Sequence, residues 1–225
     1  PEYTCILPDL RNHGQSFHAQ DFSLSAMAQD LEHLREELGF HDMNVIGHSL
    51  GGKVAMQYAH DFGLSLKHLF IIDIAPRTYA LQAHQQLIQA LHQLDLKTLR
   101  QRSEADAFLR ERIPVDDERQ FLLSNLRQDK HTNTWYWQMN LERMTQDLSD
   151  LQSIPKTQRP FKRCPVFFIA GQNSDYVTAA DETLIKKQFP EATCEWIQGA
   201  GHWVHAEQPE ALVKCLKKGL DLHAT

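Results

Sequence analysis

Apolar positions fall into two rhythms along this chain. Short, nearly continuous apolar runs occupy residues 3–7, 43–46, 69–74, 166–169 and 194–197, and loops or turns follow them. Between them, apolar residues return at every third or fourth position. Short runs that are apolar almost throughout fit strands buried on both faces, and helical spacing between them fits crossover helices. The pattern predicts a mostly parallel sheet in an α/β chain. One helix is predicted over 23–39. Ser23 or Ser25 caps it, Met27, Leu31, Leu34 and Leu38 repeat along one face, and Gly39 ends it. A last helix is predicted from Pro209 through Leu212, Cys215 and Leu216.

From Arg77 to about Pro160 the strand rhythm stops. Leu81, Leu87, Ile88, Leu91 and Leu94 keep helical spacing, a second helix carries Phe121, Leu122 and Leu126, and another carries Met144, Leu148 and Leu151. Trp135, Trp137, Met139 and Leu141 alternate with polar neighbours. The expected organisation is an α/β core over 1–76 and 161–225, with a helical cap over 77–160 inserted into it. The aromatic and methionine content of the insertion suits an apolar pocket for an acyl chain. The same residues serve equally well as packing within the insertion.

Composition narrows the classes. The 225 residues include 23 Lys and Arg against 29 Asp and Glu, a formal net charge of -6, which argues against a nucleic-acid partner. No run of about 18 apolar residues exists, so no membrane-spanning helix is expected. Cys5, Cys164, Cys194 and Cys215 show no metal-ligand spacing and read as buried, reduced thiols. No metal site is expected.

The chemistry gathers at Gly47-His48-Ser49-Leu50-Gly51, which matches G-x-S-x-G. A serine on a sharp strand-to-helix turn sits in a strained backbone, so small residues are expected two positions to either side. The helix that follows turns its first N–H groups towards developing negative charge. Asp73 is a carboxylate at the C-terminal end of an apolar strand, the edge where α/β sheets bind ligands; a loop-capping role is its alternative. His202 follows a Gly-Ala-Gly segment at the end of another strand. The order Ser49, Asp73, His202 is that of an α/β-type catalytic triad. Asp9, Arg11 and His13 also cluster, but a loop at a strand end explains them structurally. His205 reads as packing.

With these positions in place, the chain resembles the α/β-hydrolase superfamily, and within it the small capped esterases typified by bacterial acyl esterases and the animal mitochondrial abhydrolase-domain protein. The resemblance is carried by residues 9–14, 47–53, 73–76, 171–177 and 201–206, nearly end to end. It implies hydrolysis of a small-molecule carboxylic ester or acyl thioester without metal or organic cofactor. Many relatives place the triad acid after the strand that follows the cap; here that position is Ser174, with Asp175 one residue late. Asp73 is therefore the expected acid, with Asp175 and Glu142 as alternatives. The backbone N–H of Leu50 is the expected oxyanion donor. His48, Trp135, Trp137, Met139 and Trp203 are the expected pocket residues.

The resemblance also puts a second oxyanion donor in a loop after an earlier strand, and no such motif precedes Pro1. The expectation is an N-terminally incomplete hydrolase in which residues 4–7 form a strand that does not pair with 43–46. Localisation is expected to be cytoplasmic, or mitochondrial if sequence before Pro1 carries a targeting segment. A non-catalytic binding or scaffold protein on the same fold is the rival reading. A haloalkane dehalogenase or epoxide hydrolase would need an aspartate at position 49. A lyase or cofactor-free haloperoxidase would share the triad.

Overall fold

A computed structural model describes residues 3–153 and 159–221. In chain order its elements are α1 (Leu24–Glu37), β1 (Met43–His48), α2 (Leu50–Phe62), β2 (Leu66–Ile72), α3 (Gln82–Gln93), α4 (Arg102–Arg110), α5 (Asp116–Leu123), β3 (Leu126–Gln128), β4 (Trp135–Trp137), α6 (Leu141–Gln146), α7 (Leu148–Leu151), β5 (Val166–Gly171), α8 (Glu182–Gln188), β6 (Thr193–Ile197), α9 (Val204–Glu207) and α10 (Pro209–Asp221). They divide into two compact units. One combines Leu24–Tyr79 with Ser153–Thr225; the other combines Pro1–Ser23 with Ala80–Gln152.

The first unit is built on a parallel four-stranded sheet in the order β1-β2-β5-β6. Strand alternation sends successive residues of β2 to opposite faces. Leu69 and Ile71 join Ala55, Met56 and Ala59 of α2 and Val166 and Phe168 of β5 in one core. Phe70 and Ile72 join Ile169, Ile197, Val204 and Leu212 in the other, towards α9 and α10. Both faces are covered, which is why β2 and β5 read as continuous apolar runs. Each such side chain, fully buried, contributes roughly 1.5–3 kcal/mol. The consequence for the site is direct: the C-terminal ends of β1, β2, β5 and β6 all lie along one edge.

β1 pairs with β2 on one side, and Ile46 on β1 is 51% exposed. The expected strand at residues 4–7 is not formed. These residues are exposed, belong to no ladder, and cluster with the other unit; Leu7 is 89% exposed. A short apolar run holds strand geometry only when its N–H and C=O groups find a partner strand.

In the second unit, residues 9–23 are tied to 138–143. Asn12, fully buried at a positive φ of 66°, is the knot. Its side chain donates to Ala19 O at 3.1 Å and accepts from Ala19 N at 2.9 Å and from Asn140 Nδ2 at 3.1 Å. Its carbonyl accepts from Asn140 N at 2.9 Å. Asn140 in turn caps α6 by accepting from Arg143 N. Around this, Leu91, Leu109, Ile113, Leu123, Leu126, Met139 and Leu141 form a core. The unit is not wholly helical as the sequence suggested. β3 and β4 form a hairpin that pairs Leu126 with Trp137 and Gln128 with Trp135. The alternation across 135–137 is a strand signal, too short to stand out in a helical region.

Among the described residues, no helix is long and apolar enough to cross a membrane.

Candidate active site

Ser49 stands between β1 and α2 at φ 53° and ψ −119°, a conformation costly for a residue with a side chain. Gly47 makes the turn possible: a Cβ there would lie 2.3 Å from the carbonyl oxygen of Gly51. Gly52 is equally constrained, since its Cβ would meet Ile74 Cγ2 at 2.4 Å. Gly51 faces open space, so the second glycine of the motif is not required by crowding here. The Ser49 amide donates to Ile72 O at 3.1 Å, which fixes the turn to the end of β2. Leu50 is the first residue of α2, and its N–H is one of the helix's early donors without an intrahelical acceptor.

Asp73 follows β2 directly, fully buried and at φ 48°. Its amide donates to Ile169 O at 2.8 Å. A buried carboxylate needs several donors, and three reach this one. Oδ1 accepts from the Gly171 amide at 2.9 Å. Oδ2 accepts from the Ser174 hydroxyl and from His202 Nδ1, the latter at 2.7 Å. A carboxylate only accepts, so Nδ1 carries the proton and Nε2 is left as an acceptor. Ser49 Oγ lies 3.1 Å from that Nε2. Ser49, His202 and Asp73 thus form one hydrogen-bonded line across the C-terminal edge of the sheet.

Several surrounding groups hold this line. The ring of Tyr176 stacks on His202 at 3.8 Å between centroids. Tyr176 O accepts from the Tyr79 hydroxyl at 2.7 Å, and that hydroxyl accepts from Ala75 N at 2.7 Å, so the loops after β2 and β5 are joined. Burial pushes the Tyr79 phenol up to about 12. Lys53, buried on α2, lies over the Tyr79 ring, and burial together with Arg77 pushes its ammonium down to about 8. His48 Nε2 lies 2.8 Å from His202 O. Burial first, and then the neighbouring His202, push its imidazole down to about 4. Trp203 and His205 complete an aromatic rim, 5.8 and 4.9 Å from the His48 ring.

The other candidates have partners of their own. Asp175 takes part through its backbone oxygen, which accepts from the Arg77 guanidinium at 3.1 Å. Glu142 is in the first turn of α6 in the other unit and accepts from Gln146 at 3.3 Å. Trp135, Trp137 and Met139 pack into the core of that same unit. Asp9 closes its own loop, accepting from Gln15 N at 2.8 Å and, through its carbonyl, from Ser16 Oγ at 2.6 Å. Arg11 donates to Asp21 O, and His13 packs on Phe22, so this cluster holds the 9–23 segment. Cys5 is exposed rather than buried; Cys164, Cys194 and Cys215 are half-buried. Ser174, Tyr176 and Gly171 entered the site without having been singled out as members of it. Gly171, Ser174 and Tyr176 lay in the 171–177 stretch that carried the resemblance, and Ser174 also stands where relatives carry the acid.

A strained serine after a strand, a histidine on a late loop and a carboxylate at the edge of a parallel sheet define a hydrolase of the α/β-hydrolase type. The chain belongs to that family: the alpha/beta hydrolase fold model matches residues 1–209. It is 30% identical over 220 residues to the esterase YbfF of Escherichia coli (strain K12), covering 98% of this chain and 84% of that one. It is 33% identical over 207 residues to the sn-1-specific diacylglycerol lipase ABHD11 of Mus musculus, covering 90% of this chain and 66% of the lipase. This chain therefore spans just under two thirds of the mouse lipase. Among solved structures, a marine microorganism esterase superposes with a TM-score of 0.89 at 34% identity, covering 93% of this chain and 82% of that one.

Proposed function

We propose that this chain is a serine hydrolase that cleaves carboxylic esters or acyl thioesters through a covalent acyl-enzyme. The single observation that supports it is the hydrogen-bonded line from Ser49 through His202 to Asp73. Ser49 Oγ attacks the acyl carbonyl carbon while His202 Nε2 takes its proton. The carbonyl oxygen becomes an oxyanion, and the Leu50 N–H donates to it. Collapse of the tetrahedral species breaks the bond to the leaving alcohol or thiol, which takes the proton from His202. Water then attacks the acyl-serine by the same route, releasing the carboxylic acid and restoring Ser49. Asp73 keeps the proton on Nδ1 throughout and stabilises the imidazolium formed at each attack. Its own charge is held by Gly171 and Ser174.

The esterase and lipase names of the relatives fit an acyl ester as substrate. The test is a panel of acyl nitrophenyl esters, acylglycerols and acyl-CoA thioesters, with a fluorophosphonate probe for the nucleophile. Expected are turnover on at least one ester class, labelling at Ser49, and loss of both in Ser49→Ala. Labelling that persists in Ser49→Ala overturns the assignment.

A further inference from the structure

We propose that His48 and Glu207 are positioning residues that grip the backbone on either side of His202 and so fix its imidazole between Asp73 and Ser49. The proposal rests on the triad reading above. His202 sits on a loop after β6, outside the sheet ladder, so the sheet alone does not set its position. Yet four backbone groups along that loop, the Ala200 and His202 carbonyls and the Gly201 and Trp203 amides, have partners. Ala200 O accepts from Asn173 N at 2.8 Å. The amides of Gly201 and Trp203, flanking His202, donate to the two oxygens of the Glu207 carboxylate at 2.7 and 3.0 Å. His202 O lies 2.8 Å from His48 Nε2. A carbonyl only accepts, so His48 holds its proton on Nε2 and donates.

Two features set this apart from ordinary loop closure. His48 is the residue before Ser49, so its hydrogen bond ties the nucleophile's turn to the backbone of the histidine that activates it. The separation of Ser49 Oγ and His202 Nε2 is thereby held from both sides. Glu207 lies at the end of α9, and a cap of that short helix would need only the Trp203 amide. The second oxygen reaches back past His202 to Gly201, so the carboxylate straddles the histidine. Two charge-assisted hydrogen bonds to one carboxylate fix its orientation as well as its distance. Gly201 suits the arrangement, since a Cβ there would press on Glu207 Oε1 at 3.2 Å.

The experiment compares wild type with His48→Ala, His48→Gln, Glu207→Ala and Glu207→Gln, on a short-chain nitrophenyl ester, below the melting temperature of every variant. Three readouts are taken: kcat and KM separately, the rate of fluorophosphonate labelling, and the far-downfield proton resonance of His202 Nδ1–H. Misplacing the imidazole should lower kcat and labelling by roughly 10- to 100-fold in the alanine variants, with KM changed little. The Nδ1–H resonance should broaden or vanish in them. His48→Gln, which retains a donor, should restore part of the rate. Glu207→Gln, with a single amide oxygen for two N–H groups, should fall between wild type and alanine. Exposed Glu210→Ala should match wild type. Folded His48→Ala and Glu207→Ala with wild-type kcat and an intact resonance would overturn the clamp. The triad reading fails on a different result, labelling that survives in Ser49→Ala or His202→Ala.

Discussion

The phenol ring of Tyr176 lies nearly flat on the imidazole of His202, the centroids 3.8 Å apart and the planes 18° from parallel. In the mechanism proposed above the imidazole becomes cationic at each attack, and an aromatic face against it would stabilise that form by about 0.5–2 kcal/mol. Tyr176→Leu should lower kcat by roughly 2- to 30-fold, the rate equivalent of that range. Tyr176→Phe keeps the face and should stay near wild type. Steady-state kinetics of both variants on one ester decides it; equal losses would place the effect in the hydroxyl instead.

The Asp73 carboxylate gives a graded prediction. Asp73→Asn places an amide against His202 Nδ1 and should cost about 10⁴ in turnover, as loss of the acid does in serine proteases. Ser174→Ala removes one of three donors to the carboxylate and leaves two. A hydrogen bond to a charged group is worth about 1.5–3 kcal/mol, so a loss of about 10- to 100-fold is expected. Asp175→Asn should change turnover little. Measuring the three side by side tests the ranking, and a large loss in Asp175→Asn alone would reassign the acid.

His48 makes stability depend on pH. Its imidazole is pushed down to about 4 in the folded chain against 6.5 as the ordinary value, so the folded state favours the neutral form. Between those values the unfolded chain binds more protons. Stability therefore rises with pH across that window, and on acidification it is lost, on the order of 3 kcal/mol by pH 4. His13 and His60, also held low by burial, act in the same direction. Urea unfolding at pH 7 and pH 4.5 should show a smaller drop for His48→Gln than for wild type. An unchanged drop would mean that His48 titrates normally.

Asn12 should be the sensitive residue of the 9–14 segment for folding rather than chemistry. It is fully buried and its amide makes three hydrogen bonds. Asn12→Ala leaves the half-buried Ala19 and Asn140 partners unmatched and puts alanine at φ 66°. A loss of about 1–4 kcal/mol is expected from the lost hydrogen bonds plus backbone strain. Asn12→Gly relieves the strain and should lose less. Denaturant midpoints give the comparison, and kcat of the folded fraction should stay within a few-fold of wild type.

What the sequence determined by itself was the set of elements whose cause is local or periodic. Buried strands read as apolar runs because both faces of β2 and β5 are covered, and the turn at Ser49 was legible because only glycine tolerates the approach at Gly47. The chain order of Ser49, Asp73 and His202 was visible for the same reason: each follows a strand, and parallel strands bring their C-terminal ends to one edge. Tertiary structure decided the rest. Residues 4–7 look like a strand, but a strand exists only with a partner, and in the described residues they have none. The 135–137 strand was hidden because its partner lies across a turn in a helical region. The donors on Asp73 come from Gly171, Ser174 and His202, about a hundred or more positions along the chain, and no local pattern encodes that convergence. The grip of His48 and Glu207 on the His202 loop is likewise made of side chain to backbone hydrogen bonds, which depend on where the backbone lies rather than on which residues it carries.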